Sequence, residues 1–414
     1  MYDWAVLWEW VEIAARWTHV ITAIAWIGSS FYFIALDLGL RKGADLPPGA
    51  YGEEWQVHGG GFYHIQKYLV APERLPEHLI WFKWESYATW LSGFAMLVLV
   101  YYMGSELYLI DPNVMELVTW QAIALSVASL AFGWVAYTTL CRVFVNANQT
   151  LLMVALFGLL VAMAWGYTQV FSGRAALIHL GAFTATIMSA NVFMVIIPNQ
   201  KIVVSDLKAG RTPDPKYGKI AKQRSTHNNY LTLPVLFLML SNHYPLVFAT
   251  EYNWLIASLV FLMGVTIRHW FNTRHAKAGS PHWTWAATVI LFLLIAWLST
   301  APMRTTPTGE EGAQLSGPSL VYASAQGFND VVGIVQGRCS MCHAAEPAWE
   351  GMLWPPKGVV LETPAQIAHE ARRIYMQAGL SHAMPPANLS YMEPAERAAI
   401  VDWFRSAGQG GVDG

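Results

Sequence analysis

Long apolar blocks constrain this chain more than any other feature of its sequence. Eight lie between Ile13 and Thr300, each close to the roughly 20 residues that a helix needs to cross ~30 Å of hydrocarbon. Charged residues make up only 13% of the chain, about half the share in soluble globular proteins. The sequence therefore predicts an integral membrane protein. The predicted spans are Ile13–Leu36, Trp84–Met103, Leu117–Thr138, Thr150–Val170, Ala175–Ile197, Tyr230–Phe248, Trp254–Trp270 and Trp283–Thr300.

The composition changes after Pro302, and this change divides the chain into domains. We predict an eight-helix transmembrane catalytic domain over residues 1–302, a Thr/Gly/Pro/Ser-rich linker over 303–325, and a soluble domain over 326–414. The predicted fold class is all-α. His19 precedes Phe33 by fourteen residues and His179 precedes Phe193 by the same offset. Either a duplication of a four-helix unit or chance accounts for this similarity.

The distribution of basic residues predicts the topology. Sixteen Lys and Arg residues follow the odd-numbered spans, whereas the opposite segments carry only Arg174. Basic loops stay in the cytoplasm, so both termini are expected on the outer side, which in a bacterial inner membrane is the periplasm. The net charge of −2 argues against a nucleic-acid partner.

The sequence Cys339-Ser-Met-Cys342-His343 has the spacing that attaches a c-type haem. Two thiols about one helical turn apart reach the two vinyl groups of one porphyrin, and the next imidazole then lies beneath the iron. A thioredoxin-like dithiol and half of a zinc site are the alternatives. The predicted periplasmic location favours one covalent haem c.

Residues 326–407 resemble class I cytochrome c in this motif, in the loop containing Met384, and in the last predicted helix. The resemblance implies His343 as the proximal and Met384 as the distal iron ligand, a pair that raises the reduction potential. His382, Met376 and Met392 are alternatives for the distal position.

Three histidines fall at similar predicted depth near the outer side of the membrane: His19, His179 and His243. Ionisable residues inside membrane segments are costly, and histidine is a common haem ligand in helix bundles. Either ligation of a haem b or separate hydrogen bonds between helices explains them.

Three segments of the first domain carry a second resemblance: Val57–Lys67, Leu79–Trp90 and Arg224–Tyr230. Together with the terminal cytochrome motif, they resemble the membrane-bound urate oxidase family. The resemblance implies oxidation of urate to 5-hydroxyisourate. It also implies that electrons pass through haem c to a respiratory cytochrome c or terminal oxidase, without formation of hydrogen peroxide.

This chemistry needs a base for water and hydrogen-bonding groups for a planar anion. The candidate catalytic residues are His227, Glu85 and His58, and the candidate substrate-binding residues are Asn228, Asn229, Trp84 and Arg224. An ordinary helix start with Asn capping is the alternative for residues 227–229. Two other functions remain open: another cytochrome-coupled membrane dehydrogenase, and a non-enzymatic electron-transfer or haem-handling subunit.

Overall fold

The computed structural model describes residues 4–43, 45–68, 72, 75–112, 114–144, 148–300, 315, 317–350, 352 and 355–409, and most of these residues are helical. In the first 300 residues the helices are α1 (Trp4–Gly39), α2 (Trp84–Met96), α3 (Ser105–Tyr108), α4 (Thr119–Val143), α5 (Gln149–Thr168), α6 (Gly173–Ala190), α7 (Ile197–Lys208), α8 (Pro215–Ser241), α9 (Pro245–Phe248), α10 (Asn253–His275) and α11 (Trp283–Ser299). Two π-helical segments occur here: Leu97–Tyr102 extends α2, and Asn191–Ile196 joins α6 to α7.

Side-chain caps help to define where several of these helices begin. Asn148, Ser172 and Asp214 each accept a hydrogen bond from a backbone N–H in the first turn of α5, α6 and α8. Such caps satisfy donors that have no partner inside the helix. These helices therefore begin close to the predicted spans, except that α8 begins well before Tyr230.

Five helical segments in the described part of the chain are long and apolar enough to cross a membrane. They are Val6–Gly39, Thr119–Val143, Gln149–Thr168, Gly173–Lys208 and Asn253–His275. The remaining predicted spans coincide with α2, α8 and α11, which are shorter or more polar. The membrane class is thus supported, while the eight-span bundle stays a prediction.

The structure is mostly helical, as predicted, but a short hairpin between α1 and α2 departs from the all-α prediction. Residues Ala50–His58 (β1) and Gly61–Tyr68 (β2) form an antiparallel hairpin. Gly59 and Gly60 make the turn with φ of 60° and 82°, a conformation that glycine adopts without steric cost. The hairpin packs on the end of α1, where Tyr32 donates a hydrogen bond to Gln56 and Lys67 pairs with Asp37.

The membrane domain packs around α4, α5, α6, α8 and α10. Its core includes Tyr137, Leu156 and Phe183, all with at most 1% exposure. Close helix approach depends on small residues: a Cβ on Gly264 of α10 would lie 2.5 Å from Cδ of Pro234 in α8. We call the end of this domain where α1 finishes and α8 begins the basic end.

The C-terminal part forms a separate hydrophobic cluster. Its helices are α12 (Gly317–Ala323), α13 (Phe328–His343), α14 (Pro364–His369), α15 (Ala371–Ile374) and α16 (Pro394–Gln409). Trp403 is buried in this cluster, and its indole N–H donates to the Tyr322 carbonyl of α12. Residues 317–323 of the predicted linker therefore pack with the C-terminal core, whereas residues 303–314 lie outside the described residues.

Candidate functional site

A buried hydrogen-bond network joins α4, α6 and α8 in the membrane domain. The Tyr137 hydroxyl lies 2.8 Å from Nδ1 of His227. Asn191, the first residue after α6, donates from Nδ2 to the Tyr137 oxygen at 3.0 Å and to Oδ1 of Asn228 at 2.9 Å. Arg224 donates to Oδ1 of Asn191 at 3.4 Å. All five side chains are at most 5% exposed.

The partners in this network determine where its protons lie. Nδ2 of Asn228 faces the Met188 carbonyl, which only accepts, so Oδ1 of Asn228 is the atom that faces Asn191. Asn191 in turn donates to the Tyr137 oxygen, and this leaves the phenol proton free to point at Nδ1 of His227. A neutral imidazole that accepts at Nδ1 carries its proton on Nε2. The arrangement therefore favours His227 as a hydrogen-bond donor rather than as the predicted base.

A second cluster of amides and a guanidinium lies beside the first. Oδ1 of Asn229 accepts from Nε of Arg268 at 3.3 Å and from Nδ2 of Asn272 at 2.9 Å. The Arg268 guanidinium also lies 4.1 Å from the centroid of the Phe31 ring. Asn229 is 0% exposed, and its Nδ2 has no partner among the described residues. This donor is positioned to bind a group that the protein itself does not supply.

The charges of the two clusters favour an anion. Within the described residues, neither Arg224 nor Arg268 has a carboxylate at salt-bridge distance, and Nε of Arg224 has no partner. A buried charge without a counter-ion is costly. An anionic ligand removes that cost when it binds between these donors.

Two cavities reach these clusters from the basic end. One, of about 860 Å³, is lined by Asn229, Tyr230 and Asn272 and extends to Lys67 and Asp37 of the hairpin region. The other, of about 1250 Å³, lies between α5, α8 and α10 and is lined by His227, Tyr230 and His269. The first falls in the usual size range of small-molecule sites, roughly 300–1,000 Å³.

Comparison with known protein families identifies the first domain. A family model described as "Urate oxidase N-terminal" matches residues 5–299. The chain belongs to this family. Neither the curated proteins nor the solved structures gave a match. Both buried clusters lie inside the matched region, and membership supports a urate-related oxidoreductase in a membrane.

The other predicted site residues of this urate oxidase region lie apart from the two clusters. His58 is exposed at the end of β1, and Trp84 is 65% exposed at the start of α2. Glu85 follows Trp84, and its Oε2 is buried without a partner among the described residues. The neighbouring Ser86 contacts Ser189 near the end of α6, at 3.1 Å between their hydroxyl oxygens.

Four residues of the clusters were not predicted as site residues: Tyr137, Asn191, Arg268 and Asn272. Arg268 is one of the sixteen basic residues that predict the topology, and Tyr137 lies inside a predicted span. A polar or charged residue within an apolar block was the available signal for both. Their partners, which lie far away along the chain, carry no local pattern.

The three predicted haem b ligands differ in their surroundings. His179 is fully buried, its Nδ1 donates to the Ala175 carbonyl at 2.8 Å, and its Nε2 accepts from Ser126 at 2.8 Å. His19 contacts the Thr89 carbonyl and Ser92 through Nδ1, while His243 is exposed. The hydrogen bond from Nδ1 of His179 to a carbonyl leaves Nε2 as the nitrogen that would hold a haem b iron in place of Ser126, so haem b ligation stays a prediction.

The family match ends at residue 299, so the haem c motif depends on its own geometry. Cys339, Cys342 and His343 lie in the last turns of α13. Nδ1 of His343 donates to the Val359 carbonyl at 2.8 Å, which leaves Nε2 as a free iron ligand. Cys339 and Met384 both pack against the C-terminal core. These residues fit a covalent haem c with His343 and Met384 as axial ligands.

The alternatives for this motif find less support. Burial raises the pKa of the Cys339 thiol to about 11, whereas a reactive dithiol needs a lowered thiol pKa. Among the described residues, no group of three or more His, Cys, Asp and Glu side chains is placed to hold a metal ion. Met392, one alternative distal ligand, is buried in the core at 2% exposure.

Proposed function

We propose that this protein oxidises urate to 5-hydroxyisourate at the basic end of the membrane domain. The observation that carries the proposal is the pair of buried guanidiniums, Arg224 and Arg268, set among amides without a carboxylate partner in the described residues. Urate is a planar anion whose edges present carbonyl oxygens and N–H groups. Asn229 lines one of the two cavities and His227 lines the other, and each offers a donor for a urate oxygen. Arg268, which is hydrogen-bonded to Asn229, and Arg224, one helical turn before His227, supply the positive charge behind these donors.

The reaction removes two electrons and two protons from urate and water together, and it forms the new C5–O bond of 5-hydroxyisourate. A group near the ring has to take the proton of the attacking water. Glu85 and His227 are the two candidates for this base: Oε2 of Glu85 is buried without a partner among the described residues, and Nδ1 of His227 is engaged by Tyr137. The oxyanion that develops in the transition state is stabilised by the guanidiniums, which are already desolvated.

We further propose that the electrons leave the basic end through a relay inside the membrane domain, for which a haem b held by His19, His179 or His243 is the candidate, and then pass to the C-terminal domain. A haem c bound by Cys339 and Cys342 supplies a one-electron acceptor, and His343 and Met384 are the side chains that hold its iron. The acceptor after it is a respiratory cytochrome c or terminal oxidase, so oxygen is not reduced to peroxide. The location proposed is the bacterial inner membrane with both termini in the periplasm.

An anaerobic urate titration of the purified, haem-loaded protein tests this proposal. Urate is expected to reduce the haem spectrum without formation of peroxide. If dithionite reduces the haem but urate leaves the spectrum unchanged, the urate function is wrong. Another cytochrome-coupled dehydrogenase or a non-enzymatic electron carrier then becomes the better interpretation. A pyridine haemochrome assay determines which haem types are present, and a spectrum of c-type haem alone would exclude haem b ligation by His19, His179 or His243.

A further inference from the structure

Tyr108 of α3 connects the two parts of the chain. The guanidinium carbon of Arg174, in the first turn of α6, lies 4.9 Å from the centroid of the Tyr108 ring. The guanidinium carbon of Arg373, in α15 of the C-terminal domain, lies 5.0 Å from the same centroid. Cations at this distance are attracted by the face of an aromatic ring. One tyrosine of the membrane domain therefore contacts an arginine from each part of the chain.

The groups around Arg373 strengthen this contact. Glu370 pairs with Arg373 at 2.9 Å and orients its guanidinium. His369, one residue earlier, hydrogen-bonds the backbone of Glu106 in α3. A short segment across α14 and α15 thus contacts both residues of α3 that face the C-terminal domain. Two further pairs lie close enough to interact electrostatically: Glu12 with Arg372, and His243 with Lys357.

The membrane-domain residues of these contacts all lie at the same end of the membrane domain. Glu12 precedes most of α1, Tyr108 follows α2, Arg174 begins α6 and His243 follows α8. Each of these positions is at the end of the helices opposite the basic end. The C-terminal domain therefore contacts the end that carries few basic residues, which agrees with the predicted outer side.

Aromatic rings continue from this contact into the membrane domain. The ring centroid of Tyr101 lies 6.3 Å from that of Tyr108 and 6.0 Å from that of His179. Tyr101 is 4% exposed and His179 is fully buried. The contact with Arg373 thus stands at the outer end of a series of closely spaced rings.

We propose that Tyr108 and Arg373 form a docking contact, which holds the C-terminal domain on the end of the membrane domain opposite the basic end. Docking keeps the electron-carrying domain beside Tyr101 and Tyr108 instead of leaving it tethered only through the chain. The docking itself does not depend on the substrate. Its consequence for electron flow rests on the proposed function.

Hydrogen exchange measured by mass spectrometry on the full-length, haem-loaded protein in lipid nanodiscs tests the docking. Without urate, Tyr108→Ala and Arg373→Ala are each expected to speed exchange of residues 105–110 and 364–376 by about fivefold, as expected for loss of one cation–π contact. Tyr108→Phe keeps the ring face but removes the hydroxyl that interacts with Arg373, so its exchange is expected to lie between those of the parent protein and Tyr108→Ala. Arg405→Ala, an exposed arginine of α16 in the same domain, is the matched control.

Two further measurements separate docking from folding and from function. Exchange of the α16 core around Trp403 has to stay unchanged in the variants, which shows that the C-terminal domain remains folded. If the Ala variants leave both interface segments as protected as in the parent protein, the docking proposal is wrong. When docking and urate oxidation both hold, Tyr108→Ala slows haem reduction by urate, while reduction by dithionite remains complete.

Discussion

The hydroxyl of Tyr137 lies 2.8 Å from Nδ1 of His227, and both side chains are at most 4% exposed. Asn191 donates to the same hydroxyl oxygen. When the phenol gives its proton to Nδ1, a neutral His227 carries its own proton on Nε2. That tautomer suits His227 to hydrogen-bond a substrate and not to act as a general base.

Replacing Tyr137 tests whether His227 is held in that tautomer. Tyr137→Phe removes the proton donor to Nδ1, so the proton of His227 redistributes between its two nitrogens. We expect urate affinity to fall roughly tenfold, equivalent to about 1.4 kcal/mol. Equilibrium binding of urate to the oxidised protein measures this change. Tyr244→Phe, an exposed tyrosine at the opposite end of the domain, is the control and is expected to bind normally.

Replacing Arg268 is expected to change urate binding and protein stability in opposite directions. Arg268→Gln is expected to weaken urate binding by roughly 10- to 100-fold, because a hydrogen bond to a charged group contributes about 1.5–3 kcal/mol. Without urate, the same substitution is expected to raise the unfolding temperature, since it removes a buried charge that has no counter-ion among the described residues. Arg274→Gln, on the same helix but exposed, is expected to change neither quantity. Unchanged urate binding in Arg268→Gln would remove Arg268 from the site.

Met384 is the subject of a spectroscopic prediction. Thioether ligation of ferric haem is detected as a weak near-infrared band, and Met384→Ala is expected to abolish it. Met392→Leu is expected to retain the band, because Met392 is buried in the C-terminal core. If the band remains in Met384→Ala, Met384 is not the distal ligand, and Met376 is the next candidate.

The docking contact is expected to depend on pH. The Glu370 carboxylate beside His369 holds the pKa of that imidazole above its usual 6.5. The groups facing His369 are Glu370, Arg373 and the backbone of Glu106. Protonated His369 is the stabilised form, so its contribution is complete below about pH 6.5 and is lost as the pH rises through the raised value.

Hydrogen exchange of residues 105–110, corrected for intrinsic rates, measures this dependence. Protection is expected to fall between mildly acidic and mildly alkaline pH. His369→Gln is expected to remove the dependence. If the protection of these residues in the parent protein does not change over this pH range, His369 has no role in docking.

Helix packing gives a prediction that is independent of any cofactor. An alanine Cβ at position 264 would lie 2.5 Å from Cδ of Pro234. Gly264→Ala is therefore expected to cost about 1–3 kcal/mol through overpacking. Gly218→Ala in α8 meets nothing within 4 Å and is expected to stabilise by about 0.4–1 kcal/mol. Thermal unfolding in detergent compares the two variants, and equal unfolding temperatures would contradict the close approach.

Local patterns predicted much of the architecture but not all of it. Apolar blocks led to helices that coincide with α1, α4, α5, α6 and α10, because hydropathy over 20 residues is a local property. The hairpin of residues 50–68 was missed, although Gly59 and Gly60 form its turn. Depth along the spans also could not decide between the two interpretations of His179. Depth does not determine which neighbours a side chain meets, and His179 faces Ser126 and a backbone carbonyl.

Part of the candidate site could likewise be predicted from the sequence, and part could not. Arg224, His227, Asn228 and Asn229 were found because they are consecutive or nearly so and interrupt a span entrance. Tyr137 and Arg268 lie 90 and 39 residues from their partners His227 and Asn229. No spacing rule links such pairs, and only helix packing brings them together.

The sequence by itself determined that this is a membrane protein with a Cys-x-x-Cys-His motif, because hydropathy, charge bias and such a motif are properties of contiguous residues. Only the tertiary structure decided which polar groups meet. It placed two guanidiniums among amides, oriented His227 through Tyr137, and set Arg373 against Tyr108. The physical reason is that hydrogen bonds and cation–π contacts act over a few ångströms, whereas their partners are separated by tens to hundreds of residues along the chain.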